Sequence, residues 1–337
     1  MKIYTVTTNP GIEDIVKEEI KEKLGDVEYV NVYNLPGRIS FYYDNLKKIL
    51  KLRSIYHVMR FVTSFKVENL SELYEKMFDV DIEEMLDAKT FRITGKRRGL
   101  HVFKSVDIQK VAGKAVQEKY KKEVSLKNFD VEILVELFGK ECYIAVMKTR
   151  DSLHKRYPKV VNHPTAIKPP LAYAMIKLAN VKEGMKILDP FCGSGTIPIE
   201  VAQIFGNKVK IYASDIMEYW INGAKENAKN AEVENLIEFK VANANNIHKH
   251  YVIKFDRIIT NPPYGVKIEK EDLKWLYRNF MENVYQILED NAKLVIITTR
   301  ANSFRDLIMK TKKYLIEEER VVDVGTLWPH IFVLRKI

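Results

Sequence analysis

The chain has 337 residues, and with 46% hydrophobic and 30% charged residues it has the apolar content for two or three domains with ordinary buried cores. A formal net charge of +10 and a pI near 9.2 favour an anionic partner, with nucleic acid as the leading candidate. The sequence has two distant cysteines, no signal-peptide pattern and no apolar run of membrane-spanning length. We therefore expect a cytoplasmic protein with no disulfide framework, no bound metal and no membrane partner.

The N-terminal half is predicted to mix strands and helices in two small α+β units, residues 1–60 and 61–150, with a break near Val58–Lys66. The predicted strands are Met1–Thr7, Arg38–Tyr42, Thr90–Thr94, Phe129–Leu137 and Glu141–Met147, and the predicted helices include Gly11–Leu24 and Val106–Tyr120. Several prolines follow, which exclude a continuous helix and indicate an extended linker over residues 151–168.

Positive charge is concentrated in one stretch of this half. Residues 88–128 contain twelve Lys and Arg against three Asp and Glu. A solvated face rich in lysine would have the same composition, but Gly95–Gly99 (GKRRG) falls between strand-like segments, where a loop can present cations to phosphates. We predict nucleic-acid contacts from this stretch and from the basic linker, namely from Arg92, Lys96, Arg97, Arg98, Lys104, Lys110, Lys114, Arg150, Lys155 and Arg156.

The C-terminal half, residues 169–337, alternates short apolar runs with helical periods, which predicts parallel βαβ units with ligands at the carboxyl ends of the strands. The predicted strands are Lys186–Asp189, Val209–Asp215, Ile237–Asn243, Phe255–Asn261, Lys293–Thr299, Leu315–Val324 and Ile331–Leu334. The predicted helices are Thr196–Phe205, Met217–Asn230 and Glu271–Leu288.

A glycine-containing loop, residues 189–196 (DPFCGSGT), joins the first of these strands to its helix. Glycine permits a tight turn and a close approach of the backbone to a ligand. Asp215 closes the next strand, where a carboxylate can accept hydrogen bonds from ribose hydroxyls. The loop lacks the patterns of an ATP phosphate loop and of a full dinucleotide fingerprint, so a nucleoside without phosphates, such as S-adenosylmethionine, suits it better.

The fourth strand of this half ends in Asn261-Pro262-Pro263-Tyr264-Gly265. The amino group of a base is a poor nucleophile because its lone pair is delocalised into the ring. The Asn261 side-chain carbonyl and the Pro262 backbone carbonyl can accept its two hydrogens and direct the lone pair at an electrophilic methyl group. Pro262 and Pro263 stiffen the turn, and Tyr264 offers a flat face for stacking a base that has flipped out of a duplex. A simple turn after a strand is the alternative, but the position at a carboxyl strand end beside the glycine loop favours a catalytic motif.

Three other features are interpreted as structural. Cys192 lies within the glycine loop without a flanking His or Asp, so we expect a small packing residue and no nucleophile. His248 and His250 lack a third metal ligand and are expected in a solvated segment. Trp220 and Trp275 occupy helical positions and are predicted to pack against the core.

The motifs DPFCGSGT and NPPYG together closely resemble those of amino-group methyltransferases with the class I Rossmann-like fold. Residues 91–105 (FRITGKRRGLHVFKS) resemble a THUMP domain, an RNA-binding module. The run from Ser152 to Arg156 and on to Thr165 resembles the entry to the catalytic domain of THUMP-bearing guanine-N2 methyltransferases. The group that this chain resembles most is that of the archaeal enzymes that modify position 6 of the tRNA acceptor stem.

This resemblance implies an α/β protein in which a Rossmann-like domain, residues 169–337, has a mostly parallel seven-stranded sheet. It implies a ferredoxin-like domain at 1–60, a THUMP domain at 61–150, tRNA as the partner of a monomer, and S-adenosylmethionine as the cofactor. The implied cofactor contacts are Asp189, Phe191, Gly193, Ser194, Gly195, Thr196, Asp215, Ile216, Asn243 and Ala244. Many relatives have Asp where this chain has Asn243, and an Asn side chain can accept from the adenine amino group but can also donate.

Several alternatives stay open. Asn-Pro-Pro-Tyr also serves methylation of adenine N6 or of a protein glutamine amide, although the THUMP-like segment argues for RNA. Enzymes for guanine 10 of tRNA usually have Asp at the position of Asn261, while ribosomal RNA guanine-N2 enzymes share Asn-Pro-Pro-Tyr. A non-catalytic THUMP RNA-binding protein is the remaining alternative, against which the intact glycines, Asp215 and Asn261 argue.

Overall fold

The computed structural model describes residues 1–264 and 270–337, with only the backbone of Lys270. Contacts between Cα atoms divide the chain into two compact units. Unit 1 comprises residues 1–8 and 17–153, and unit 2 comprises residues 9–16 and 154–337. Gly265, the last residue of the predicted NPPYG motif, lies outside the described residues. Among the described residues, no helix combines the length and the apolar character that crossing a bilayer requires.

Unit 1 contains one eight-stranded sheet in the order β2-β3-β1-β4-β8-β7-β5-β6. Its strands are β1 (Lys2–Thr7), β2 (Tyr29–Val30), β3 (Arg38–Tyr43), β4 (His57–Lys66), β5 (Thr90–Arg98), β6 (Glu123–Val124), β7 (Val131–Phe138) and β8 (Glu141–Met147). The predicted break near Val58–Lys66 is instead a continuous strand. β4 pairs with β1 on one side and with β8 on the other, so both predicted α+β regions contribute to the same sheet.

The helices of this half of the chain are α1 (Glu13–Leu24), α2 (Leu46–Ile49), α3 (Leu70–Asp79) and α4 (Ser105–Tyr120). Alternate residues of β7, such as Ile133 and Val135, are fully buried against apolar residues of α4, including Ile108 and Ala112. Leu134, which lies between them and points to the other face, is buried in a second apolar cluster, so the middle of this strand is covered on both sides. The GKRRG segment was predicted as a loop, but Lys96–Arg98 form the exposed end of β5 and pair with β7.

Unit 2 contains a seven-stranded sheet in the order β11-β10-β9-β12-β13-β15-β14. Its strands are β9 (Lys186–Asp189), β10 (Lys210–Asp215), β11 (Ile237–Val241), β12 (Phe255–Thr260), β13 (Leu288–Thr298), β14 (Tyr314–Val321) and β15 (His330–Lys336). All pairs from β11 to β13 are parallel, and β15 runs antiparallel to both of its neighbours. The predicted mostly parallel Rossmann-like sheet is confirmed.

Helices cover both faces of this sheet. They are α5 (Pro169–Leu178), α6 (Thr196–Phe205), α7 (Glu218–Asn230), α8 (Lys270–Ile287) and α9 (Ala301–Thr311). One core cluster joins α5 and α6 to the sheet, and a second joins α8 and α9 to the opposite face. Because β9, β10 and β12 are parallel neighbours, their carboxyl ends and the loops that follow them meet at one edge.

Residues 9–16 contribute to unit 2 although they lie far from it in sequence. The Asn9 side chain donates to the Asp323 carbonyl (2.8 Å), and Arg320 pairs with Asp14 and donates to the Gly11 carbonyl (3.0 Å). Gly11 has a φ of +101°, and a Cβ there would lie 2.1 Å from the Val321 carbonyl oxygen, so only glycine fits. This short segment therefore packs directly against the end of β14.

Candidate active site

A cavity of about 320 Å³ lies at the carboxyl ends of β9, β10 and β12. It has the size expected of a small-molecule site. Predicted residues that line it are Asp189, Phe191, Gly193, Ser194, Thr196, Asp215, Ile216, Asn243, Ala244, Asn261 and Pro263. The glycine loop and the Asn-Pro-Pro-Tyr motif, separated by about 70 residues in sequence, therefore border the same space.

The glycine loop is tied to the end of β10 through Asp215. Its carboxylate accepts from the backbone N–H groups of Gly193 (3.0 Å) and Met217 (3.1 Å). Burial raises the pKa of Asp215, and these hydrogen bonds counter part of that rise. Gly193 adopts a φ of +49°, and Gly195, at +86°, is the residue that precedes the first turn of α6. These conformations hold the backbone of the loop close to the cavity.

Asp189, a predicted cofactor contact, lines the cavity and also connects two strands. Its carboxylate is buried, accepts from the Thr260 hydroxyl (2.7 Å) and accepts from the Phe191 N–H (3.2 Å). Desolvation raises the pKa of Asp189 to about 7. The bond to Thr260 connects the ends of β9 and β12, so Asp189 shapes the cavity wall by joining two strands that carry functional loops.

The linker forms part of the cavity, which the sequence did not predict. The His163 ring lies 4.3 Å from the Trp220 ring, centroid to centroid, and a Cβ on Gly193 would lie 3.4 Å from it. Burial lowers the pKa of His163. Trp220 therefore faces the cavity together with His163, contrary to the prediction that it packs in the core. Trp275, predicted to pack as well, is 60% exposed.

Asn227 of α7 holds the linker against the glycine loop. Its fully buried amide accepts from the N–H groups of Val160 (3.0 Å) and Val161 (3.2 Å) and donates to the carbonyls of Val161 (2.8 Å) and Ser194 (2.9 Å). With two hydrogen bonds accepted by the oxygen and two donated by the nitrogen, the side chain uses its full hydrogen-bonding capacity. An asparagine within a helix gives no sign of this role in sequence, because all three of its partners are distant along the chain.

Asn261 follows β12 at the rim of the cavity. Its side-chain N–H donates to the Thr165 carbonyl (2.9 Å), and its Oδ1 accepts from the Tyr264 hydroxyl (2.5 Å). The Pro263 carbonyl accepts from the Tyr277 hydroxyl (3.4 Å). Hydrogen bonds thus hold the motif on both sides. The Asn261 amide has a defined orientation because its nitrogen donates to a carbonyl of the linker.

The far wall of the cavity follows β11. Asn243 caps the short 3-10 helix Ala244–Lys249 by accepting from the Asn245 N–H (2.9 Å). His248 belongs to this helix and His250 follows it. The side-chain oxygen of Asn245 is buried and lacks a hydrogen-bond partner among the described residues. Cys192 is also buried, which raises the pKa of its thiol and agrees with the expected packing role.

The cations predicted to contact RNA fall into different environments. In unit 1, Lys96–Arg98, Lys104 and Lys110 are exposed, and Lys114 lies over the Tyr74 ring. Arg92 and Arg150 both stack on the Phe129 ring, at 5.4 and 5.1 Å. In unit 2, the guanidinium of Arg156 pairs with the buried Glu200 (2.6 Å) and is only 12% exposed, which argues against the predicted contact with RNA. Lys155 also interacts with another group of the protein.

Comparison with known proteins agrees with this arrangement. Residues 156–329 match the family described as RMKL-like, methyltransferase domain, and residues 67–147 match the THUMP domain. The fold and the cavity thus define a Rossmann-like methyltransferase joined to a THUMP domain.

The chain is 32% identical to the tRNA (guanine(6)-N2)-methyltransferase of Methanocaldococcus jannaschii, covering 98% of this chain and 99% of that protein. It is 30% identical to the Thermus thermophilus enzyme of the same name, covering 98% of each. The crystal structure of TrmN from Thermus thermophilus superposes with a TM-score of 0.87 at 29% identity over the full length of both chains. The chain belongs to the family of the tRNA (guanine-N2)-methyltransferases.

Proposed function

We propose that this protein methylates the N2 amino group of guanine 6 in the tRNA acceptor stem, with S-adenosylmethionine as the donor and the flipped base held by Asn261–Tyr264. One observation carries this proposal: the braced amide of Asn261 lies at the rim of the cavity that the glycine loop forms. A methyl donor and an amino group can meet there. The matched relatives are named for guanine 6, which favours that position.

The walls of the cavity fit the nucleoside part of S-adenosylmethionine. Asp215 offers a carboxylate at the end of β10, where it can accept from ribose hydroxyls. The buried oxygen of Asn245, which has no hydrogen-bond partner among the described residues, and the amide of Asn243 supply polar groups for adenine. The bound cofactor supplies an electrophilic methyl group, and the backbone at Gly193 leaves the space that a side chain would fill.

The Asn261 amide suits the recognition of a base amino group. Its nitrogen donates to Thr165, so its oxygen is the atom directed at an incoming donor. The Tyr264 hydroxyl donates to that oxygen here, and a guanine amino group would take its place. The second hydrogen of the amine would be accepted by the Pro262 carbonyl. The nitrogen loses its proton readily once alkylated, so no strong general base is needed.

RNA binding is assigned to unit 1 by the same proposal. The ferredoxin-like region at 1–60 and the THUMP domain at 61–150 would hold the acceptor end of tRNA, and the linker at 151–168 would lead to the catalytic domain at 169–337. The exposed Lys96–Arg98 at the end of β5 supports phosphate contacts. Such contacts position an RNA and leave the choice of base to the catalytic pocket.

The proposal is tested with labelled S-adenosylmethionine and two unmodified tRNA transcripts, one with guanine at position 6 and one with an adenine–uracil pair there. Nuclease digestion and mass spectrometry locate the label. We expect N2-methylguanosine at position 6 of the first transcript and no label in the second. Label at guanine 10 in both transcripts would move the activity to that position, and label in adenosine or in protein alone would refute guanine-N2 methylation.

A further inference from the structure

A second cavity, of about 370 Å³, lies between α8 and α9. Its floor is apolar, with the buried side chains of Leu273, Tyr277 and Phe304. Its ionisable lining is strongly basic, with four cations and one carboxylate. They are Lys274, Arg278, Arg300, Lys310 and Asp306, and we refer to this site as the basic cavity.

Two of the four cations of the basic cavity have no ion-pair partner or hydrogen-bond acceptor among the residues that the structure describes. Arg278 and Lys310 are exposed and have no ion pair within the parts of the chain that the structure describes. Lys274 pairs with Glu271 (2.8 Å) while remaining half exposed. The guanidinium of Arg300 donates only to a backbone carbonyl in that same described part of the chain. A concave surface lined by four cations and one carboxylate is suited to an anionic ligand.

The basic cavity is joined directly to the catalytic motif. Arg300 Nε donates to the Tyr264 carbonyl (3.3 Å), and the Tyr277 hydroxyl donates to the Pro263 carbonyl (3.4 Å). Asn261 and Pro263 of the same motif line the first cavity, at the carboxyl ends of β9, β10 and β12. A polymer whose base is held at Asn261 would therefore have its neighbouring backbone close to the basic cavity.

We propose that the basic cavity binds the ribose-phosphate backbone next to the target nucleotide, with Arg278, Arg300 and Lys310 contacting phosphates. The apolar floor takes the sugar face, and the cations around it neutralise the phosphates. This inference rests on the proposed function, because it identifies the ligand as the same RNA. It adds an RNA contact in unit 2, where no predicted residue other than Lys155 and Arg156 was expected to provide one.

The test compares two double variants of the full chain, Arg278→Ala with Lys310→Ala, and Lys225→Ala with Lys229→Ala. The second pair is the control: it removes two exposed lysines of α7 that do not line either cavity, so both variants lose the same net charge. Binding of a tRNA transcript is measured from 50 to 200 mM salt, and binding of S-adenosylmethionine is measured by calorimetry.

We expect the first variant to bind RNA about tenfold more weakly and its salt slope to fall by roughly 1.4, since each lost phosphate contact removes about 0.7. The control should keep the wild-type slope, and both should bind the cofactor normally. The charge-preserving pair Arg278→Lys with Lys310→Arg should restore most of the slope. An unchanged slope in the first variant, or an equal change in the control, would overturn the proposal.

The outcome for the basic cavity is separable from the outcome for the proposed function. Product mapping with the wild-type protein tests the reaction alone, and the salt slopes test the cavity alone. If guanine N2 is labelled but the slopes of both double variants agree, the cavity proposal fails and the reaction stands. If no guanine is labelled while the first variant selectively loses RNA affinity, the reaction fails and the basic cavity stands as an RNA site.

Discussion

Replacement of Asn261 separates the chemical step from cofactor binding. In Asn261→Ala the oxygen that would accept from the guanine amino group is lost, together with the bond to the Thr165 carbonyl (2.9 Å). In Asn261→Asp an acceptor is kept, but the atom facing Thr165 becomes an oxygen that cannot donate. The two variants therefore divide the role of Asn261 into accepting from the base and being oriented by the linker.

The expected loss follows from the number of polar contacts removed. One preorganised hydrogen bond in a transition state is worth about 2.7–4 kcal/mol, so kcat of Asn261→Ala should fall by about 10²–10³. Asn261→Asp should retain more activity than Asn261→Ala, because the acceptor remains, yet less than wild type, because two oxygens would face each other at the Thr165 contact.

Single-turnover methylation of tRNA gives the rate of the chemical step, and calorimetry gives the dissociation constant of S-adenosylmethionine. The cofactor constant should change by less than about threefold in Asn261→Ala, because the described hydrogen bonds of Asn261 go to Thr165 and Tyr264. A loss of cofactor affinity equal to the loss of rate would show that Asn261 acts in the cofactor site, and the reasoning would be wrong.

Three further outcomes concern stability. The raised pKa of Asp189, about 7, means that the folded protein favours the protonated carboxyl, so the contribution of Asp189 to stability is fully present below about pH 4 and is lost as the pH rises towards 7. The free energy of unfolding measured in urea should fall by on the order of 3 kcal/mol between pH 5 and 8, and Asp189→Asn should largely abolish this fall. An identical dependence on pH in both proteins would contradict this role of Asp189. Asn227→Ala leaves buried backbone groups without partners, so it should lower the free energy of unfolding by about 3 kcal/mol and weaken cofactor affinity. An unaltered urea midpoint would show that Asn227 does not hold the linker against the glycine loop. Gly11→Ala should destabilise more than Gly25→Ala, because both have positive φ but only the former meets a carbonyl oxygen, at 2.1 Å; equal melting temperatures would refute the clash.

Local signals in the sequence were sufficient for the core of the catalytic fold. β9 and α6 have the bounds that were predicted, Lys186–Asp189 and Thr196–Phe205, because a short apolar run, a glycine turn and a helical period each act over a few residues. The position of Asn261 after β12 also followed, since parallel strands present their ends at one edge.

Features that depend on distant partners did not follow from the sequence. Arg156 looked like part of a basic linker, but its environment is set by Glu200, 44 residues later, which withdraws it into an ion pair. His163 and Thr165 looked like linker residues, and only the packing of the linker on the glycine loop brings them to the cavity. Lys96–Arg98 extend a strand because β7 is available to pair with them, which no local pattern records.

The contribution of residues 9–16 to unit 2 affects how the enzyme can be dissected. A fragment cut between residues 153 and 154 would contain every residue that lines the cavity at the carboxyl ends of β9, β10 and β12. It would lack Ile12 and Ile15, which are buried in its hydrophobic core, as well as the Asp14 partner of Arg320. An expression boundary drawn from sequence motifs alone thus exposes the surface at the end of β14 that residues 9–16 cover. A synthetic peptide spanning residues 9–16, or its genetic fusion to the fragment, is the natural complement that such a truncated catalytic half would require.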